Sequence, residues 1–190
     1  MYKRQISWFV LQAIYVPYAI RTLGMGSSEV GLTMACYGVG MIAGSLLASR
    51  VVSMMPFGQA ILLGPFFSVA AACVMASTHY VPSVLVAGFA YFLFGFGPII
   101  WTITSTTLRQ SVTPNPMMGR VTAINIVAGT GARPLGALLG GVVGEMGSDL
   151  VSLLVVVAGF AVQAILITLS RVRSLKSLSE AQEASQGRED

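Results

Sequence analysis

Charged side chains are scarce in this sequence: Asp, Glu, Lys and Arg together make up 9% of its 190 residues. A soluble domain carries about 25%, because a chain folded in water covers much of its surface with such residues. Apolar residues make up 55% of the sequence. The shortage of charge excludes a water-soluble globule, and the abundance of apolar residues predicts a protein embedded in a lipid bilayer.

Cysteine and histidine are equally scarce. Cys36 and Cys73 each lie within an apolar run, which argues against a disulfide scaffold, and neither has neighbours at the spacing of a metal site. The single histidine, His79, is predicted to lie in a short outer turn, and the sequence offers no Ser/His or Cys/His arrangement for nucleophilic catalysis. The sequence also has no phosphate-binding loop. We therefore predict no catalytic residues, no metal site and no cofactor, and an enzyme is the least favoured class.

Long apolar runs predict six membrane spans. A spanning helix needs about 20 mainly apolar residues, and six such runs are separated by charges, glycines and prolines. The expected limits are Ile6 to Leu23, Ser28 to Val51, Phe57 to Ser77, Pro82 to Leu108, Met117 to Gly144, and Asp149 to Arg171. The predicted fold class is an all-α membrane bundle over residues 1–173, followed by a polar cytoplasmic tail over 174–190. We expect a serine hydroxyl to cap the second span and the uniformly apolar third and sixth spans to face lipid.

Basic residues fall on one side of the predicted bundle. Nine of the eleven Lys and Arg residues lie on the side of the N-terminus, Arg21 lies on the other, and Arg133 lies within a span. Cytoplasmic loops carry such an excess, so both termini are predicted to be cytoplasmic, which requires an even number of spans. The net charge of +4 thus indicates orientation in the membrane and no nucleic-acid partner.

Arg133 is the one basic residue expected deep within a span. It lies about 20 Å from the cytoplasmic end of the fifth span at the rise of an α-helix, where an arginine costs about 2.5–3.5 kcal/mol. We therefore expect it to face the bundle interior or a wet cavity. The alternatives are that its side chain reaches an interface, or that Pro134 breaks the helix. Asn125 and Gly129 precede it on nearly the same face and predict a polar stripe.

Prolines interrupt three predicted spans, at Pro17, Pro98 and Pro134. Transporters bind substrate near broken helices, although ordinary proline kinks are also frequent in membrane helices. Aromatic and polar residues near these positions suit a large amphipathic ligand. The predicted substrate-path residues are Gln12, Tyr15, Tyr37, Phe94, Trp101, Asn125 and Arg133.

Glycines recur at four-residue spacing in two predicted spans. Gly40 and Gly44 lie in the second span, and Gly136 and Gly140 lie in the fifth. Ridges of small residues let another helix approach closely. We therefore predict that these four glycines are helix-packing positions, and they are candidate contacts for a second copy of the chain.

A long motif follows the fourth predicted span. Arg-Gln, two further residues, Thr-Pro, a short spacer and Gly-Arg-Val are followed by Pro-Leu-Gly-Ala-Leu-Leu-Gly-Gly. The residues concerned are Arg109, Gln110, Thr113, Pro114, Gly119, Arg120, Val121, and Pro134 to Gly141. This motif resembles that of major facilitator superfamily exporters and is most similar to the macrolide-efflux and enterobactin-exporter branch.

The resemblance implies the C-terminal six-helix half of a twelve-helix antiporter in a bacterial inner membrane. Such a protein exports small amphipathic compounds, such as drugs or siderophores, in exchange for protons. By this resemblance Arg109, Gly119 and Arg120 form a cytoplasmic gating loop, and the first, second, fourth and fifth spans line the path. The implied partners are a small-molecule substrate, the lipid bilayer, and a missing N-terminal half or a second copy that supplies the coupling carboxylate.

Three interpretations of the chain stay open at this point. It is the C-terminal half of a longer exporter, a stand-alone six-helix protein that dimerises, or a membrane remnant that does not transport. The substrate, the coupling ion and the oligomeric state do not follow from the sequence.

Overall fold

The computed structural model describes residues 2–170, and these residues form six α-helices. The helices are α1 (Tyr2–Arg21), α2 (Ser27–Met54), α3 (Phe57–Ser77), α4 (Val84–Val112), α5 (Met118–Met146) and α6 (Asp149–Thr168), with one 3-10 turn at Asn115–Met117. No strand occurs in this part of the chain. The predicted all-α class is confirmed. The predicted tail, 174–190, lies outside the described residues.

Five of the helices, α2 to α6, are long and apolar enough to cross a membrane, whereas α1 is not among them. The helix α1 has 20 residues, which is the length of α6. Its composition is more polar because it carries Arg4, Gln5, Gln12 and Arg21. Much of its surface contacts other helices, and Leu11 is completely buried. The sixth span therefore stays a prediction.

Two pairs of parallel helices organise the bundle. In the first pair, Gly40 of α2 lies against Phe92 of α4, and Gly44 lies against Phe96 one turn further along. The residue numbers rise together on both helices, so α2 and α4 run in the same direction. This pair has the most extensive helix contact in the described chain.

The second parallel pair joins α5 to α1. Gly136 lies against Ile6 and Phe9, and Gly140 lies against Val10 and Ala13. A Cβ on Gly136 would come within 2.6 Å of the carbonyl oxygen of Ile6, and one on Gly140 within 2.7 Å of the Cβ of Ala13. Only glycine permits so close an approach. Because both predicted glycine ridges are used inside the chain, neither is free to join two copies.

The helices α3 and α6 lie behind these pairs and run antiparallel to their neighbours. Gly64 of α3 meets Trp101 of α4, while Gly159 of α6 meets Ser7 of α1. The helices α3 and α6 also contact each other. Both bury one side, as shown by Ser68 at 1% exposure and Phe160 at 1%. The expectation that they face lipid therefore applies to their outer sides alone.

The contact pattern repeats between the two halves of the chain. The helices α1, α2 and α3 correspond to α4, α5 and α6. By this correspondence, the contact of α2 with α4 is equivalent to that of α5 with α1. The contact of α3 with α4 is likewise equivalent to that of α6 with α1. Successive helices alternate in direction, so the two three-helix units are inverted relative to each other. Inverted repeats of this kind are typical of secondary transporters.

The two ends of the bundle differ in charge. Since α1 and α6 are antiparallel, Tyr2 and Thr168 lie at the same end. We call this the basic end, because Arg50, Arg109 and Arg120 lie there. The opposite end is called the acidic end, and it holds all three acidic residues of the described chain: Glu29, Glu145 and Asp149.

Two local expectations are corrected by the structure. The helix α2 begins with Gly26 at the N-cap, and the Glu29 carboxylate accepts a hydrogen bond from the Gly26 N–H at 2.8 Å. No serine hydroxyl caps this helix. The prolines Pro17, Pro98 and Pro134 lie inside helices that continue on both sides of them. The interpretation of these spans as interrupted is therefore wrong: each proline removes only one N–H donor, and the other hydrogen bonds of the helix continue past it.

Replacing Gly140 by alanine tests the close contact of α5 with α1. The added methyl group would overlap with Ala13, and overpacking of this kind costs about 1–3 kcal/mol. We expect G140A to lower the thermal unfolding temperature of the purified protein in detergent. G141A is the matched control, because a Cβ at Gly141 meets nothing within 4 Å. Equal stability of the two variants would contradict this packing.

Candidate functional site

An open cleft of about 220 Å³ lies between α1, α4 and α5 on the basic half of the bundle. The first turn of α1, the last turn of α4 and the first half of α5 form its walls. Positions three, four, seven and eight apart on α5 share a helix face, which explains why that helix supplies most of the lining. The lining residues are Gln5, Arg109, Thr122, Asn125, Ile126, Gly129, Thr130 and Arg133.

Arg133 reaches the cleft from the middle of α5. Its guanidinium carbon lies 5.6 Å from the centre of the Phe9 ring on α1, a cation–π contact. The side chain is exposed, and Pro134 follows it within the helix. The structure thus places Arg133 beside Asn125 and Gly129 along one wall of the cleft, where the sequence predicts a polar stripe.

Arg109 enters the same cleft from the last turn of α4. Its Nε is buried and has no hydrogen-bond partner among the described residues. The Gln5 amide nitrogen approaches the opposite wall, 4.0 Å from the position a Cβ would take on Gly129. Arg109 is predicted from the sequence as a gating-loop residue, and in the structure it belongs to α4. Gly119 and Arg120, its predicted companions, lie exposed at the start of α5.

The cleft is positively charged. Arg109 and Arg133 line it, and none of the lining residues is acidic. The acidic residues of the described chain all lie at the acidic end, beyond the length of a side chain from the cleft. The positive charge of the two arginines is therefore not balanced by a carboxylate among the described residues.

Arg4 is a half-buried basic residue, which the sequence pattern places in a basic leader. Its Nη1 donates a hydrogen bond to the Thr102 hydroxyl at 3.4 Å, and its guanidinium carbon lies 5.1 Å from the centre of the Trp101 ring. The side chain therefore points into the bundle and joins α1 to α4. No sequence signal links residues so far apart, since their meeting depends on helix packing.

The predicted substrate-path residues do not gather in one place. Tyr15 and Phe94 belong to a buried aromatic core, where the Tyr15 and Tyr91 rings lie 4.6 Å apart. Trp101 is buried beneath Arg4. Two further predicted residues are half-buried. They are Gln12 on α1 and Tyr37 on α2, whose ring stacks on Trp8 with the ring centres 5.0 Å apart. Of the seven predicted residues, only Asn125 and Arg133 line the cleft.

A family model of the major facilitator superfamily, described as transmembrane secretion effector, matches residues 10–188. The chain belongs to this family. No curated protein and no solved structure matches the chain significantly. The family match confirms the expected major facilitator superfamily transporter and a multi-pass membrane protein. It also points to transport instead of catalysis, while the branch of the superfamily stays a prediction.

The Arg4 contact generates a spectroscopic prediction for this transporter. In a W8F background, Trp101 is the only tryptophan, because the chain has two. We expect R4Q to change the emission of Trp101, since it removes the charge above the ring, and to lower the unfolding temperature by the equivalent of about 0.5–2 kcal/mol. R50Q in the same background removes an exposed arginine and is the control. An identical emission spectrum with and without Arg4 would contradict the contact.

Proposed function

We propose that this transporter exports small amphipathic compounds in exchange for protons and acts as one six-helix half beside a second six-helix unit. The second unit is an N-terminal half or a second copy of the chain. In this arrangement the protein lies in a bacterial inner membrane with both termini in the cytoplasm. The basic end is then the cytoplasmic end, in agreement with the usual excess of positive charge there.

The observation that carries the proposal is the charged cleft on a side of the bundle that is otherwise apolar. The helices α2 and α5 expose many aliphatic side chains. Those above 60% exposure are Leu32, Ile42, Leu46, Ile124, Ile126, Val127 and Leu138. An arginine facing lipid costs about 2.5–3.5 kcal/mol. A second unit that covers α2 and α5 removes this cost and converts the open cleft into an enclosed chamber.

The lining of the cleft suits a ligand with a polar and an apolar part. Arg109 and Asn125 offer hydrogen-bond donors, while Ile126 and the Phe9 ring beneath Arg133 offer apolar surface. The cleft also lies between the inverted repeats, because α1 comes from the first repeat and α4 and α5 from the second. Transporters with such repeats bind substrate between them and expose it to either side by rocking.

Proton exchange needs a titratable group, which we assign to the second unit. The three acidic residues of the described chain lie at the acidic end and not beside the cleft. At the basic end, Arg109 at the end of α4, together with Gly119 and Arg120, forms the cytoplasmic gate in this proposal. Both assignments follow the resemblance of the motif in this segment.

Export by Arg133 variants tests the proposal. In cells that lack other exporters, the transporter and its second unit should lower the accumulation of at least one fluorescent amphipathic dye. We expect R133A to reduce the initial export rate by about tenfold. This corresponds to an increase of about 1.4 kcal/mol in the activation free energy of export. R21Q, which removes an exposed arginine at the acidic end, is the control. Unchanged export by R133A at equal protein level would remove Arg133 from the path.

The size of the native polypeptide tests the need for a second unit. An antibody against residues Ser174 to Asp190 should detect either a band near twice 20.0 kDa, or a band near 20.0 kDa that becomes a larger species after cross-linking in native membranes. The first result places the second unit in the same polypeptide, and the second makes it a separate subunit. A band near 20.0 kDa that never cross-links would contradict the two-unit arrangement.

A further inference from the structure

We infer that the cleft of Gln5, Arg109, Asn125 and Arg133 recognises the acidic head group of an amphipathic organic anion. Carboxylate, sulfonate and phosphate groups share the required chemistry: a negative charge and several acceptor oxygens. The inference rests on the proposed export function and names the substrate class that the same site selects.

The charge of the cleft is the first argument. Arg109 and Arg133 line one open space, and none of its lining residues in the described part of the chain is acidic. Each of these two cations makes the electrostatic potential in the cleft more positive, so a bound anion is attracted by both. A cationic ligand would add a third positive charge at the same place. The empty cleft therefore discriminates against cations and in favour of anions.

The unpartnered nitrogen of Arg109 is the second argument. A buried donor with no acceptor is energetically unfavourable, and the Nε of Arg109 is such a donor among the described residues. The guanidinium group presents its N–H donors in a planar fork that matches two oxygens of one acidic group. An anion bound at Arg109 supplies the missing acceptor.

Neutral donors beside the arginines complete the recognition of a head group. The side-chain amides of Gln5 and Asn125 and the hydroxyls of Thr122 and Thr130 line the same space. The Gln5 amide nitrogen lies at the wall formed by Gly129, where no side chain intervenes. These groups donate hydrogen bonds to oxygens that the arginines leave free, and they set the orientation of the head group.

The cleft is large enough for the head group of the substrate but too small for the whole substrate. A complete site for a drug-sized ligand has about 300–1,000 Å³, whereas this cleft has about 220 Å³. The cleft holds the acidic group, and the apolar part extends over Ile126 toward the side that the second unit covers. This division explains why the exposed surface around the cleft is aliphatic.

Binding of a matched pair of probes tests the inference. The purified full-length chain in phosphatidylcholine nanodiscs is titrated calorimetrically with naphthalene-2-sulfonate and with naphthalene-2-sulfonamide, which has the same rings but no charge. We expect the sulfonate to bind at least about tenfold more tightly, and more weakly as the ionic strength rises. Equal binding of the two probes would overturn the inference.

Variants assign the binding to the two arginines. R109Q/R133Q should lose the preference for the sulfonate, while R21Q/R50Q, which removes the same amount of charge outside the cleft, should keep it. R109K/R133K keeps the charge but not the fork, and we expect intermediate affinity. Thermal unfolding of each variant shows that it is folded. A sulfonate preference that survives at wild-type strength in folded R109Q/R133Q would place the anion elsewhere.

A second set of nanodiscs distinguishes a soluble anion from a lipid head group. If phosphatidylglycerol occupies the cleft, adding it abolishes sulfonate binding, and native mass spectrometry detects a bound lipid that R109Q/R133Q loses. That result would overturn the assignment to a substrate and leave a lipid site. Sulfonate binding that is unchanged by phosphatidylglycerol supports the substrate anion.

Transport of the same probes separates this inference from the proposed function. The measurement uses membrane vesicles that contain the second unit. If they export amphipathic dyes irrespective of the dye's charge, and R109Q/R133Q is fully active, the anion site is overturned and the export function is retained. Arginine-dependent sulfonate binding without export of any compound would overturn the exporter and retain the anion site. Export of the sulfonate alone, lost in R109Q/R133Q, supports both.

Discussion

The close approach of α5 to α1 is the contact on which the candidate site depends. Gly136 and Gly140 let α5 lie directly on the backbone of α1, and a side chain at either position would separate the helices. This approach places the Phe9 ring beneath Arg133 and brings the Gln5 amide to Gly129. The equivalent contact places Gly40 and Gly44 of α2 against the backbone of Phe92 and Phe96 in α4, so the same kind of packing joins the two repeats at both contacts.

The second constraint is the conflict between charge and lipid. Arg109 and Arg133 lie in a bundle whose exposed surface is largely aliphatic, and no carboxylate of the described chain lies near them. Each charged residue within a membrane span makes insertion less favourable. Membrane proteins therefore keep such residues mainly where they serve a function. In our proposal a second six-helix unit and an anionic ligand resolve this conflict together, since the unit excludes lipid and the ligand balances the charge.

Particular residues show how far sequence patterns extend. The limits of α3 follow from Pro56 and the apolar run after it, and the predicted and observed helix agree at Phe57 and Ser77. The packing role of glycines is also local, because four-residue spacing aligns them on one face. The inward position of Arg4 was missed, since a basic residue near a chain start has the same local pattern whether it faces water or Trp101.

By itself, the sequence determined the all-helical class, the approximate helix limits and the charge difference between the ends, because these depend on composition and on periodicity along one helix. Tertiary structure decided which polar residues share a site. It buried Tyr15 and Phe94 in an aromatic core and placed Arg109, Arg133 and Gln5 along the walls of one cleft. The physical reason is that helix direction and side-by-side pairing fix contacts between distant residues, and glycine ridges permit a close approach without naming the partner helix.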